Sequence, residues 1–349
     1  MPFFSGLGAL RVSVVKSPVL LPLPPSLPPS VSLCPRPTSK PQILLASNPQ
    51  FRYIAPTHRG VGGYTPTDGH PVAQRGAARA LSQIIAIANQ KGGVGKTTTA
   101  INLAAALADR GRRTLLMDLD PQANSTLAFF SADECASTLY DVLGPEGSAR
   151  ANLANIIRPT KQPRLSIAPG KLALARLEVQ LAGQFDAPFK LKDALSPILK
   201  DFDYLVVDTP PALSILTVNA MVAATHLLVP IQAAYFAIEG TDDLLETYSR
   251  IRSRPNPDLK IVGVLITLYD KRTNISRDTH EQIRAVFGNT LFRTKITKNV
   301  RLEESPAYKE TILTYAPKSP GAVEYRKLAL EVIERVEANR TARHAEDAA

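Results

Sequence analysis

Three observations predict an α/β fold in which a doubly wound, mostly parallel sheet carries helices on both faces. Short apolar runs rich in Ile, Leu and Val alternate with helical stretches, a glycine-rich loop joins the first run to the first helix, and two later runs end in acidic residues. Such alternation requires right-handed crossovers and a sheet covered on both sides.

The first run, Ser82-Gln-Ile-Ile-Ala-Ile-Ala-Asn89, suits a buried parallel strand because it is short, apolar and β-branched. It passes directly into Gln90-Lys91-Gly92-Gly93-Val94-Gly95-Lys96-Thr97-Thr98-Thr99 and then into an Ala/Leu helical pattern, which Gly111 stops. Strand, glycine loop and helix N-terminus in this order are the context of a phosphate-binding loop. Glycines at 92, 93 and 95 let backbone N–H groups curl around phosphate oxygens. Lys96 is placed to reach the β- and γ-phosphates of ATP, and the Thr97 hydroxyl to bind Mg²⁺. The strict pattern has glycine where this chain has Gln90; Lys91 follows, giving a deviant loop with a second lysine.

The second run, 113–120, places Asp118 and Asp120 at its carboxyl end, the edge of an open parallel sheet where ligands bind. An acid there can orient an attacking water and help organise Mg²⁺, because phosphoryl transfer depends on positioning and charge compensation. The third run, 203–208, ends in Asp208, a Walker B position expected to hold Mg²⁺ through a water and to lie near Thr97. Further strands are expected at 165–168, 226–230, 261–267 and 291–296. Helices are expected at 172–181, 189–199, 239–252, 276–287 and 321–339. His226 is read as a strand-end residue without chemistry.

The loop and helix from Lys91 to Leu107 resemble the ParA/MinD group of ATPases. Asp118-Leu-Asp120-Pro-Gln122 resembles the Asp-x-Asp-Pro-Gln signature of its ParA/Soj members. So do Gln232-Ala-Ala-Tyr235-Phe-Ala-Ile-Glu239-Gly, Leu268-Tyr-Asp270-Lys-Arg272-Thr-Asn274 and Asn299-Val-Arg301-Leu-Glu-Glu-Ser-Pro306. Residues 82–337 thus resemble the ParA/Soj partition ATPases. The resemblance implies an ATPase using ATP and Mg²⁺, in which Lys91 crosses an ATP-dependent homodimer interface to the partner's nucleotide. It makes Asp120 the hydrolytic acid and Asp118 a supporting or metal-side group. It also implies non-specific binding of double-stranded DNA, a ParB-type centromere-binding partner, and a cytoplasmic, nucleoid-associated protein. Arg272 stands where the family places a DNA-contacting arginine; Arg250, Arg252 and Arg301 are further candidates for that face.

The chain divides into a leader (1–80), an ATPase domain (81–340) and a polar tail (341–349). Of the net charge of +10 over 349 residues, the leader holds +7, from eight Lys or Arg against Asp68 alone. That leaves the domain mildly basic, so DNA binding must come from a local face. Fourteen prolines before residue 80 predict extended or disordered chain. The leader reads as a targeting segment, a flexible arm, or sequence ahead of the true start; the last is favoured because no amphipathic period or cleavage pattern is present. Two cysteines, Cys34 and Cys135, exclude a four-ligand metal site and the iron–sulfur members of this class, and fit a reducing cytosol. No run reaches the roughly 18 apolar residues that span a membrane.

Two other readings are a MinD-like membrane-associated positioning ATPase and a small-molecule kinase. The first requires a C-terminal amphipathic helix with a basic polar face. Here Tyr325, Leu328, Val332 and Val336 share one side, with Glu324, Glu331, Glu334 and Glu337 opposite, a pattern for a packed helix. For the second, no acceptor-substrate motif is found.

Overall fold

The computed structural model describes residues 82–144, 151–234 and 241–347, with side chains to residue 339. The leader, Cys34 and the 235–240 part of the post-strand motif lie outside the described residues.

Eight strands form one sheet: β1 Gln83–Ile87, β2 Thr114–Asp118, β3 Arg158–Pro159, β4 Leu165–Ala168, β5 Tyr204–Asp208, β6 His226–Gln232, β7 Lys260–Tyr269 and β8 Leu291–Thr297. Their order is β3-β4-β2-β5-β1-β6-β7-β8, and every pairing is parallel except the two-residue β3 against β4. From β1 the chain winds to one side through β2 and β5, then crosses to β6 on the other. The order therefore reverses at the carboxyl end of β1, the place where such sheets bind ligands.

Side-chain alternation divides the interior into two cores. Ile84, Ala86, Leu115, Met117, Leu205 and Val207 belong to one. Ile85, Ile87, Leu116 and Val206 face the other, with Leu103 and Leu107 of the helix Lys96–Asp109. The C-terminal helix joins this second core through Tyr325, Leu328, Val332 and Val336, each 1 % exposed or less. Its apolar stripe is therefore used up in packing, as its pattern predicts. Among the described residues no helix is long and apolar enough to cross a membrane.

Strand predictions agree with the structure to within two residues; two helix predictions need revision, and one nine-residue helix falls outside the expected set. The 189–199 helix is the segment Lys190–Leu195 flanked by 3-10 turns at Ala187–Phe189 and Ser196–Ile198, because Pro188 and Pro197 remove backbone donors. The last helix runs from Pro320 to Asp347 rather than stopping near 339, since the Ala-, Arg- and Glu-containing tail has no glycine or proline to end it. Ile215–Ala223, which the periodicity did not single out, is a nine-residue helix that is apolar nearly all round and mostly buried.

Candidate active site

The loop after β1 is held open by its own backbone, by the Asn89 side chain at its start and by a side chain from β7. Gly93 and Gly95 have φ of 73° and 81°, the left-handed region that costs other residues most. Asn89 donates to the carbonyl of Pro230 on β6 at 2.7 Å, and its own carbonyl accepts the Lys91 N–H at 3.0 Å. On the far side, the Thr267 hydroxyl of β7 donates to the Val94 carbonyl at 2.8 Å. The buried Lys96 folds back so that Nζ donates to the Lys91 carbonyl at 3.1 Å. Burial holds its pKa below the ordinary lysine range, while Asp208 and Asp120 act in the opposite sense. Lys91, Gly92, Gly93, Val94, Gly95, Lys96, Thr97 and Thr98 thus form one continuous turn around the amino end of a 14-residue helix.

Parallel pairing of β2 and β5 sets Asp118 directly beside Asp208. Leu116 and Val206, two positions earlier, face the core containing the Lys96–Asp109 helix, so both acids point to that helix as well. Both are fully buried. Desolvation raises the Asp118 carboxyl to about 8, with the Asp208 charge adding to the rise and the Thr126 hydrogen bonds opposing it. Asp208 is raised to about 6, again chiefly by desolvation, against the Ser125 and Thr97 hydroxyls. Asp120 is only 6 % exposed; its Oδ1 accepts the Gln122 N–H at 2.9 Å.

Four residues of this site carry no role in the sequence reading: Ser125, Thr126, Asn89 and Thr267. The Ser125 hydroxyl donates to Asp208 Oδ2 at 2.8 Å. Thr126 donates its N–H and its hydroxyl to Asp118 Oδ2, both at 2.7 Å, and its hydroxyl accepts the Gly170 N–H at 2.8 Å. A signal existed for the first two, since hydroxyl residues follow the acidic motif within six positions. Asn89 and Thr267 are isolated polar residues at strand ends, and only the strand order brings them to the loop.

The residues present fit a magnesium ion. Asp208 Oδ1 and Asp118 Oδ1 are both buried carboxylate oxygens without a hydrogen-bond partner, and of the two acids it is Asp208 whose carboxylate interacts with the Thr97 hydroxyl. Among the described residues no three His, Cys, Asp or Glu side chains could cage an ion. Mg²⁺ characteristically uses one or two protein oxygens and completes its shell with phosphate and water. Alongside Thr97 and Thr98 lies a cavity of about 580 Å³ whose lining includes Asn102, Leu127, Leu302 and Pro306, within the size range of small-ligand sites.

The arginines do not share one face. Arg272 follows the carboxyl end of β7 and Arg301 follows that of β8; the Lys298 N–H donates to the Tyr269 carbonyl, joining the two loops at the phosphate-loop edge. Arg250 and Arg252 end the helix Asp242–Ser253, just before Asn256, which donates to the carbonyls of Met221 and Ala224 ahead of β6. They lie toward the amino edge, across a strand of 10 residues, or about 30 Å. Arg272 is 88 % exposed and chelates Asp270 through Nε and a terminal nitrogen at 3.0 and 2.9 Å. Arg250 pairs with Glu246 at 2.6 Å, and Arg301 lies 3.8 Å from Glu304 and over the Tyr315 ring.

The strand-reversal point, glycine loop, buried lysine and acid pair define an α/β P-loop nucleotide-hydrolysing domain, and a family described as an AAA domain matches residues 82–261. The chain is 45 % identical to the chromosome-partitioning ATPase Soj of Thermus thermophilus, over 74 % of this chain and 98 % of that protein. It is 40 % identical to the chromosome partitioning protein ParA of Myxococcus xanthus, over 73 % and 89 % respectively. A solved cobyrinic acid a,c-diamide synthase from Mycobacterium smegmatis, with bound ATP analogue and magnesium, superposes with a TM-score of 0.64 at 32 % identity, covering 73 % of this chain and 96 % of that one. The chain belongs to the ParA/Soj family of chromosome-partitioning ATPases.

Proposed function

We propose that this protein is a partition ATPase whose ATP-bound form is a DNA-binding homodimer and whose hydrolysis releases the DNA. The observation that carries the chemistry is the convergence of the 91–98 loop, buried Lys96, Asp120 and Asp208 at the strand-reversal point. In this reading the loop N–H groups and Lys96 bind the phosphates, Thr97 and Asp208 hold Mg²⁺, and the Asn102 and Pro306 cavity takes the nucleoside. An Mg²⁺ ion held by Thr97 and Asp208 would supply positive charge against the phosphate charge that builds up during hydrolysis. Asp120 orients the water by accepting its hydrogen bond and excludes unproductive angles of attack. Asp118, capped by Thr126, fixes the segment carrying Asp120.

Lys91 crosses to the second subunit's nucleotide, which makes dimer closure depend on ATP. Closure doubles the cationic edge around Arg272 and Arg301, so the dimer binds double-stranded DNA through phosphate contacts without base readout. A ParB-type partner stimulates hydrolysis, and the protein acts in the cytoplasm on the nucleoid. A MinD-like role is disfavoured by the buried apolar stripe of the C-terminal helix.

Asp120→Ala tests the cycle. Its expected phenotype is ATP binding and dimerisation at wild-type affinity, turnover reduced by about 100-fold or more, and DNA binding that persists after ATP addition. Light scattering, phosphate release and filter binding measure the three quantities; wild-type turnover would assign the water to another residue.

A further inference from the structure

Two consecutive side chains of the single-turn helix Asn124–Leu127 grasp two different strand ends. Ser125 holds Asp208 at the end of β5, and Thr126 holds Asp118 at the end of β2. Paired strands lie about 4.8 Å apart, and successive helical side chains diverge by about 100°, so one helical turn can straddle both carboxylates. The turn before it is tightly closed: the Ala123 N–H donates to the Asp120 carbonyl at 2.8 Å, and Ala123 itself has φ of 54°, unusual for a residue with a Cβ. The segment bearing Asp120 is therefore fastened to both flanking strands by hydroxyl groups.

The two clasps do different things. Thr126 is itself braced by the Gly170 N–H, and a Cβ at Gly170 would stand 2.4 Å from the Asp118 carbonyl, so that corner is closed packing. Each acid keeps one oxygen, Oδ1, without a hydrogen-bond partner, but Ser125 makes a single contact, to Asp208 Oδ2, on the one acid that the Thr97 hydroxyl also engages. A carboxylate held at neither oxygen turns freely about its last bond. With Oδ2 occupied, Oδ1 is the oxygen left for an ion.

We propose that Ser125 is a positioning residue for Mg²⁺-dependent hydrolysis: its hydroxyl orients the Asp208 carboxylate toward the ion and couples that acid to the segment carrying Asp120. The inference rests on the ATPase reading above. Partners that orient a metal-binding carboxylate change metal affinity or activity by about 10- to 100-fold when removed.

The test uses the full chain with Ser125→Ala and Ser125→Thr, and reads the affinity for a fluorescent ATP analogue with Mg²⁺ and with excess chelator, together with kcat. Ser125→Ala is expected to lose about tenfold or more of the affinity gained on adding Mg²⁺, with a similar fall in kcat and unchanged Mg²⁺-free affinity. Ser125→Thr, which keeps the hydroxyl, restores most of both. If Ser125→Ala fails to fold, Ser125→Cys, a near-isosteric weak donor, carries the same comparison with an intermediate loss. A wild-type Mg²⁺ response and kcat in the folded variant would overturn the proposal, as would an equal loss with and without Mg²⁺. If the wild-type protein itself shows no Mg²⁺-dependent ATP binding, the ATPase reading fails first and this inference with it.

Discussion

His226 illustrates how burial turns a titratable residue into a structural one. It opens β6 at 4 % exposure, with Nδ1 2.9 Å from the Thr225 hydroxyl, and burial holds its pKa at about 4, aided by Lys260. The unfolded chain binds a proton at this residue near pH 6.5, whereas the folded chain does not until about 4. Stability contributed here is fully present at neutral pH and is lost as pH falls from 6.5 toward 4, by up to ~3 kcal/mol. His226→Gln should therefore gain on the wild type across that window. Urea unfolding of both proteins between about pH 7 and pH 4 measures the difference, and a constant gap would show that the imidazole does not carry the effect.

At the scale of elements, the C-terminal helix and edge strand β8 are joined by one buried carboxylate. Glu331 accepts the Arg293 and Thr294 N–H groups at 2.9 and 3.1 Å, the Thr294 hydroxyl at 3.0 Å and Arg335 at 3.0 Å. These hydrogen bonds satisfy donors at a stretch where β8 loses register with β7. The adjoining Gly263 admits the Phe292 ring, which a Cβ would meet at 2.4 Å. Burial alone would raise the Glu331 pKa, but the amide, hydroxyl and Arg335 interactions outweigh it and hold the carboxyl below the ordinary range. Its contribution is present above the unfolded carboxylate pKa and lost as pH falls through the folded one. Glu331→Gln should cost roughly 1–3 kcal/mol at neutral pH, with the gap closing in acid. Melting temperature followed from neutral to acid conditions decides this, and a pH-independent gap would mean lost shape rather than lost charge.

For the whole molecule, the proposed DNA binding depends on which cations the proposed dimer would present together. The carboxyl edge gathers Arg272 and Arg301, while Arg250 and Arg252 sit toward the other edge. Asp270, its pKa held at about 2 chiefly by the Arg272 hydrogen bond, stays ionised and presents the guanidinium in a fixed orientation. In an ATP-locked Asp120→Ala background, Arg272→Ala should weaken binding to duplexes of any sequence while dimerisation persists. The slope of log K against log salt should become shallower by about one unit for each phosphate no longer neutralised, or about two in a symmetric dimer. Arg250→Ala should leave both nearly unchanged. An equal effect from both substitutions in titrations across a salt series would place DNA on a face other than the carboxyl edge.

The sequence by itself determined the fold class, the phosphate loop and the three acids. These depend on local order: an apolar run, a glycine turn and a helix start are contiguous, and an acid at the end of an apolar run is at a strand end whatever the strand order. Tertiary structure decided which strand ends are neighbours. Asp118 and Asp208 are ninety residues apart in sequence and adjacent only because β5 inserts between β1 and β2. The same insertion brings Ser125 to Asp208, and the β1-β6-β7 order brings Asn89 to Pro230 and Thr267 to Val94. Arg250 and Arg272 look alike as surface arginines in the sequence; a strand of 10 residues sets them toward opposite edges. Pairing across a sheet is non-local, so no spacing rule in one chain can reveal it.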